Sequence, residues 1–406
     1  MRELWQRLPE RLREYAVRVA IWLVMVGVGL VIGRLTGTKV EPVPFPVYVD
    51  VETLTPVYVQ AEAPGWFGWV EPTQAERSAA LAAIKENQGG LDPDFSKLAQ
   101  AALAAVDADD PVFFWEAELK VLKKTLPVWR QGDIGSCVSH GVGRAVQDTI
   151  LSEIAGGEPE TWPGAEVARE PIYGGSRVQI GGGQIRGDGS INAWAVAWVQ
   201  KYGVVFYQKY PSVDLSDGYS VSRCRDYGQR GCPKALEEEA RKHPIKTAAL
   251  VKNANEMWIA IGNGFACCIA SQVGFDSKQI EGFCARRGSW AHSMDVAGRF
   301  LHPTKGKCFV VRNSWGDYLA GGDNWIAVVG RAGKVQLPPG CFAVTANEMD
   351  AVAAAGDSFA LSGFVGFPRR KIDWFIIGPA NPLYIAAVKR YNDGRKANAP
   401  EFALAP

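Results

Sequence analysis

Three short stretches of the chain hold side chains able to carry out nucleophilic chemistry together. In the first, residues 130–150, Cys137 follows a run of turn residues that includes Gly132, Gly135 and Ser136. Val138, Val142, Ala145, Val146, Thr149 and Ile150 then recur at helical spacing. Cys137 is therefore expected at or just before a helix N-terminus, where unpaired N–H groups and the helix dipole favour a thiolate. A structural cysteine would more often sit mid-helix on the apolar face. Gln131, six residues earlier, carries an amide that could donate to an oxyanion. The second stretch, 289–300, has His292 before a short apolar run ending at Gly298 and reads as the start of a strand. A lone histidine of this kind is usually structural. The third, 307–329, reads as a strand, an Asn313-Ser314-Trp315-Gly316 turn and another strand. There an asparagine can simply cap the turn. Thiol, imidazole and amide together supply a nucleophile, a general acid–base and a group that orients the imidazole.

The elements that must position these groups lie in a chain of 406 residues, long enough for one large or two ordinary domains. Apolar residues make up 47% and charged residues 21%, a globular balance. The formal net charge of +1 gives no whole-chain electrostatic reason to expect a nucleic-acid partner. Residues from about 111 to 367 are dense in Trp, Gly and β-branched types and hold all three stretches.

Taken together, the three stretches resemble the papain-like (C1 family) cysteine peptidases. Gln131 and Cys137, with Gly135-Ser136 directly before the cysteine, match that family's oxyanion glutamine and nucleophile. His292 with Gly298 matches its histidine strand, and Arg312-Asn313-Ser314-Trp315-Gly316 its K-N-S-W-G block. Residues 187–211 look like its Gly-Gly turn, helix, Tyr-Gly-Val and closing Tyr-Pro. The match spans about 130–330, half the chain, in the family's order.

The resemblance implies an α+β, two-lobed fold: a helical lobe carrying the nucleophile helix and an antiparallel sheet or barrel lobe. It implies catalytic roles for Cys137, His292, Asn313 and Gln131, and substrate-binding roles for Gly189, Ser190 and Trp315, the tryptophan lying over the Asn–His contact; the plain alternative for it is a core Trp. No cofactor and no metal are expected. Several features depart from the family. Val138 stands where it usually has Trp, and Ser190 replaces the second of its two glycines. No cysteine stands near 135 or 188 for its usual disulfide, its second Trp-Gly is missing, and no E-R-F-N-I-N-type inhibitory helix appears in 72–106. The departures put substrate preference and zymogen control in question and leave the triad intact.

Other parts of the chain are less specific. Residues 1–18 carry five Arg against three Glu, followed by the uncharged run 19–33. Counted from Tyr15, with Arg18 reaching back to the surface, the segment spans roughly 28 Å. This predicts a basic segment 1–14 and a transmembrane signal anchor 15–35, single-pass, N-terminus cytoplasmic and peptidase domain exported to the periplasmic or cell-surface side. A cleaved leader or a core helix are the alternatives.

Residues 36–110 read as a Pro-rich stalk followed by two Ala-rich helices broken at Gly89-Gly90, spacers rather than an inhibitory pro-segment. Residues 111–367 form the peptidase domain. The tail, 368–406, has seven positive against three negative residues. Among eight cysteines, Cys224 and Cys232 bracket a polar loop and are the candidate bridge. Gly181–Gly183 with Gly187 and Gly189 lack a strand-to-helix crossover and read as a loop beside the cleft rather than a dinucleotide site. His140 reads as a surface or packing residue, and His243 and His302 show no partner in sequence.

The expected activity is hydrolysis of peptide bonds in a peptide or protein substrate, on a lipid bilayer through residues 15–35. The oligomeric state is left open. The alternative is an inactive papain-fold binding or structural module of a cell surface or virus particle.

Overall fold

The computed structural model describes residues 67–92, 110–159, 162–316, 323–330 and 333–368, together with a short antiparallel ladder of β1 (Tyr48–Val49) on β2 (Pro56–Val57). The basic segment, the anchor at 15–35, most of the second Ala-rich helix and the basic tail lie outside the described residues. Among the described residues, no helix is long and apolar enough to cross a membrane. The β1–β2 ladder belongs to a unit ending at Pro64; everything below concerns the unit from Gly65 onward.

That unit begins with α1 (Gln74–Asn87), opened by a capping box in which Thr73 and Glu76 bond each other's backbone N–H. It stops just before Gly89 and Gly90, both at positive φ, where the sequence predicts the break. Asn87 bonds the Ala197 carbonyl at 3.2 Å and Gln88 accepts from Gln200, so α1 lies on the body of the protein. Next come β3 (Val112–Phe113), α2 (Phe114–Leu122) and α3 (Cys137–Ala155). Of the nineteen residues of α3 only Ile154 is not buried. A helix buried all round is a core element, and α3 has helices on one side and the sheet on the other.

The helical side is built from α4 (Arg169–Gly174), which widens into a π-type turn at Gly175–Ile180, and from α5 (Asn192–Tyr202), α6 (Val221–Arg230) and α7 (Lys234–Ala240). The sheet side has β4 (Thr247–Leu250), α8 (Ala254–Gly262), and the long strands β5 (Cys267–Ile280) and β6 (Phe283–His302). β7 (Gly306–Arg312) follows. After it come the small ladder β8 (Trp325–Ala327) on β9 (Lys334–Gln336), then β10 (Cys341–Thr345), α9 (Ala346–Ala353) and β11 (Phe359–Ser362). The main sheet has strand order β10-β7-β6-β5-β11-β4, with β3 on β6. Its pairings are antiparallel apart from one: β10 also meets the start of β6 in parallel, Ala343 opposite Phe283. The end of β6 pairs with β7 while its start reaches β10 on the other side of β7, which a strand can do only by bending, and irregular pairings between Ser271 and Gln279 mark the bend. The result is a mixed α+β protein with a curled sheet.

The sheet corrects one expectation and the cysteines another. His292 lies in the interior of β6, opposite Ser271, rather than at the start of a strand, because β5 extends its pairing well before the histidine. Cys224 and Cys232 are not bridged; all eight cysteines are free and buried. Cys224 faces inward from α6 with Ile134 and Tyr173, while Cys232 beyond the helix packs into the main core. Hydrophobic burial accounts for both without a covalent link.

Candidate active site

Cys137 is the first residue of α3, capped by Ser136, and its side chain is fully buried. The thiol lies against the backbones of Ser293 and Gly68, and those groups, with the backbone N–H of Val138 and of Cys137 itself, favour the thiolate. Burial outweighs them and pushes the thiol up to about 12. The contact with Ser293 sets Cys137 beside β6 at the position next to His292. One turn on, Gly141 lets α3 approach the same strand: a Cβ there would lie 2.6 Å from Ser293 Oγ and 3.0 Å from the Met294 backbone.

His292 Nε2 stands 3.0 Å from Asn313 Oδ1, an oxygen that also accepts the Ser314 backbone N–H at 2.7 Å. Two donors on one amide oxygen mean that Nε2 carries the proton. Nδ1 is then the basic nitrogen, buried and without a hydrogen-bond partner among the described residues. Burial holds this imidazole down to about 4, partly offset by the Asn313 bond. Asn313 follows β7 directly, and its own N–H bonds the Gly340 carbonyl at 2.8 Å. Trp315 stacks over His292 with ring centres 4.3 Å apart and touches Trp290 and Phe67. Gln131 is fixed from both ends: Oε1 accepts from Ser314 Oγ at 2.8 Å and Trp315 Nε1 at 3.1 Å, and Nε2 donates to Ile134 O at 2.9 Å.

Residues 67–70, inside the region expected to be a stalk or spacer, run through this site. Gly68 N and Trp69 N both donate to Ala291 O, at 3.1 and 3.0 Å, just before His292. Ser190 N donates to Gly68 O at 2.8 Å and Val70 N to Ser190 O at 2.9 Å, a parallel pairing of Trp69 with Ser190. Gly68 packs on Gly135 and on Gly189, whose Cβ would stand 2.9 Å from Gly68 O. Residues 67–70 thus touch Cys137, Gly189, Ser190, Trp315 and the Ala291 carbonyl beside His292, and the line they occupy is termed the groove. No sequence signal marks residues 67–70 or the Ala291 carbonyl for this. The loops near 135 and 188, where the resemblance would put a disulfide, are tied by a hydrogen bond from Gly135 N to Asp188 Oδ2, 3.1 Å.

Behind the groove lies a buried ionic group that was also not anticipated. Glu118 Oε1 meets Arg144 at 2.6 Å and Arg312 at 3.1 Å; Arg312 also reaches Asp148 at 3.1 Å and Asp295 at 3.6 Å. It contains three carboxylates and two guanidiniums. Burial raises the carboxyls of Asp148 and Asp295 and Arg312 draws them back. The one sequence trace of this group is the i,i+4 spacing of Arg144 and Asp148.

The remaining histidines have other neighbours among the described residues. His140 is buried, Nδ1 2.9 Å from Ser136 O and ring against Tyr219. His302 Nδ1 accepts the N–H groups of Thr304 and Lys305, and His243 meets Phe206 edge-on. No group of metal-ligating side chains occurs among the described residues.

Solved structures similar to this one include xylellain, a cysteine protease from Xylella fastidiosa, at 14% identity and TM-score 0.47 over 73% of this chain and 96% of that one. Digestive procathepsin L2 proteinase from Tenebrio molitor larval midgut matches at 15% and 0.44, over 89% and 96%. The bromelain protease from Ananas comosus, in complex with the E64 inhibitor, matches at 13% and 0.39, over 62% and 98%. The structures this chain resembles are papain-like cysteine proteases. No family model and no curated protein matches the sequence. With identities of 13–15% and TM-scores below 0.5, the chemistry rests on the residues described above.

Proposed function

We propose that this chain is a thiol peptidase that hydrolyses peptide bonds, with Cys137 as nucleophile, His292 as general base and acid, Asn313 orienting the imidazole and Gln131 completing an oxyanion hole. The observation that carries the reading is the Nε2–Asn313 bond, which leaves His292 Nδ1 as a proton acceptor on the strand that flanks the thiol. His292 Nδ1 takes the thiol proton, the sulfur attacks the scissile carbonyl, and the imidazolium protonates the leaving amine. Water then releases the acyl group by the same steps in reverse. The oxyanion meets the Cys137 backbone N–H and the Gln131 amide, each such donor worth about 3 kcal/mol.

This chemistry requires residues 67–70 to leave the groove, because Gly68 lies against the thiol. The occupied groove favours a second reading, an inactive papain-fold binding or structural module. A mechanism-based thiol reagent separates the two. Labelling at Cys137 that is abolished by His292→Ala is the result for an enzyme; labelling that does not depend on His292 is the result for an inert fold. We further place the protein on a lipid bilayer through residues 15–35, with the peptidase domain exported. Protection of residues beyond 40 from added trypsin until the membrane is dissolved would reverse that orientation.

A further inference from the structure

The groove holds one side chain of its own occupant particularly firmly. Trp69 sits between the two backbone bonds that link Gly68 and Val70 to Ser190, so its register in the groove is fixed. Its indole is buried at 3% exposure, and Nε1 donates to Asp357 Oδ2 at 2.7 Å. Asp357 lies between α9 and β11 and is wholly buried. Its carboxylate also receives Asn192 N on Oδ2 at 3.0 Å and Ala193 N on Oδ1 at 2.9 Å, at the first turn of α5.

We propose that Asp357 is a specificity-determining residue: it floors a subsite that selects an indole side chain in a bound peptide, and Trp69 is its present occupant. That the natural visitor is a substrate rests on the peptidase reading; the selection itself does not. The argument is one of unsatisfied bonding. With the indole withdrawn, a buried carboxylate oxygen loses a donor, which costs more than the bond gained when it forms. A phenylalanine ring fills similar space and supplies no N–H, so it leaves that oxygen short. Sites built to bond a polar atom reject the analogue lacking it far more strongly than apolar pockets reject a change of one carbon. Asp357 also caps α5, and that role alone would not depend on what the visiting ring carries. Trp against its N-methyl derivative therefore separates the two roles at a single atom.

The test uses the full chain with Trp69→Ala and the synthetic peptide acetyl-Phe-Gly-Trp-Val-amide, which repeats residues 67–70. Its analogues carry 1-methyltryptophan or phenylalanine at the third position. The readout is the rate at which iodoacetamide modifies Cys137, followed by mass spectrometry of the peptide that contains it. The expected result is protection by the tryptophan peptide at concentrations at least about tenfold below either analogue. Equal protection by all three, or by none, overturns the proposal. Trp69→Phe in the full chain provides a second check, which removes the N–H together with part of the ring: Cys137 should be modified about tenfold faster than in the unaltered chain, and an unchanged rate counts against the subsite. Neither readout requires catalysis. Donor-dependent protection in a chain that cleaves no peptide would keep the subsite and remove the enzyme. Cleavage indifferent to tryptophan against 1-methyltryptophan would do the reverse.

Discussion

The imidazole of His292 has Nε2 engaged by Asn313 and Nδ1 buried without a partner among the described residues. Burial acts on it and on Cys137 in opposite directions, holding the imidazole down to about 4 and the thiol up to about 12. With residues 67–70 in place the pair is neutral thiol and neutral imidazole across the physiological range. Rehydrating the groove relaxes both shifts, which brings proton transfer from sulfur to Nδ1 within reach. His140 gives a separate pH test. It is held below its usual range mainly by burial, then by the positive charge of Arg169, with its bond to the Ser136 carbonyl opposing and His292 adding a smaller push downward. The unfolded chain therefore binds a proton at this side chain below about pH 6.5 that the folded chain does not, and the fold loses stability as pH falls through that range. His140→Phe keeps the packing against Tyr219 and removes the titration. Urea midpoints at pH 7.5 and 5 should show the variant gaining on the unaltered chain at the lower pH; a constant difference would assign His140 no part in acid sensitivity.

At the scale of elements, α3 and β6 meet through Gly141, and residues 67–70 enter the groove through Gly68. A Cβ on Gly68 would lie 2.0 Å from the Gly135 carbonyl oxygen, a backbone atom that cannot turn aside. Gly68→Ala should thus lift the segment from the groove and raise Cys137 alkylation by at least about tenfold, with a loss of thermal stability confined to the withdrawn Trp69 contacts because α1 keeps its own. An unchanged alkylation rate would mean that the segment does not guard the thiol. These two contacts also show where sequence reasoning reached and where it stopped. The helix opening at Cys137, the Asn-Ser-Trp-Gly turn after β7 and the helix end at Gly89-Gly90 depend on local turn chemistry and periodicity, which any single stretch displays. The pairing of Trp69 with Ser190, the Asp357 carboxylate under an indole 288 residues away, and the grouping of Glu118 with Arg312 are long-range. Nothing in residue type or spacing announces them. The strand around His292 reaches further back than its composition indicates for the same reason, since it is extended by pairing with β5.

For the molecule as a whole, the buried charges join parts of the chain that are far apart in sequence: α2, α3, β6 and β7 meet at Glu118, Arg144, Asp148, Asp295 and Arg312. Glu118→Ala takes one carboxylate from two buried guanidiniums, leaving them to share Asp148 and Asp295, and removing one partner of a buried pair typically costs about 3–5 kcal/mol. Urea unfolding should show a loss of that size, with Glu118→Gln losing less. This group, together with the β3 pairing on Gly298 and Arg299, ties β3, α2, α3, β6 and β7 to one another. Residues 67–92 are held differently, by the groove and by the face of α5. Covalent continuity gives the groove segment an effective concentration that for short flexible tethers is of millimolar order. Scission of the chain between Asp92 and Val112 would end that tethering and leave α2 with the body. The severed piece would then be an ordinary ligand, its occupancy set by how much protein is present. Activity per molecule after such a cut should climb on simple dilution and fall again on reconcentration, whereas the uncut chain should be indifferent to both.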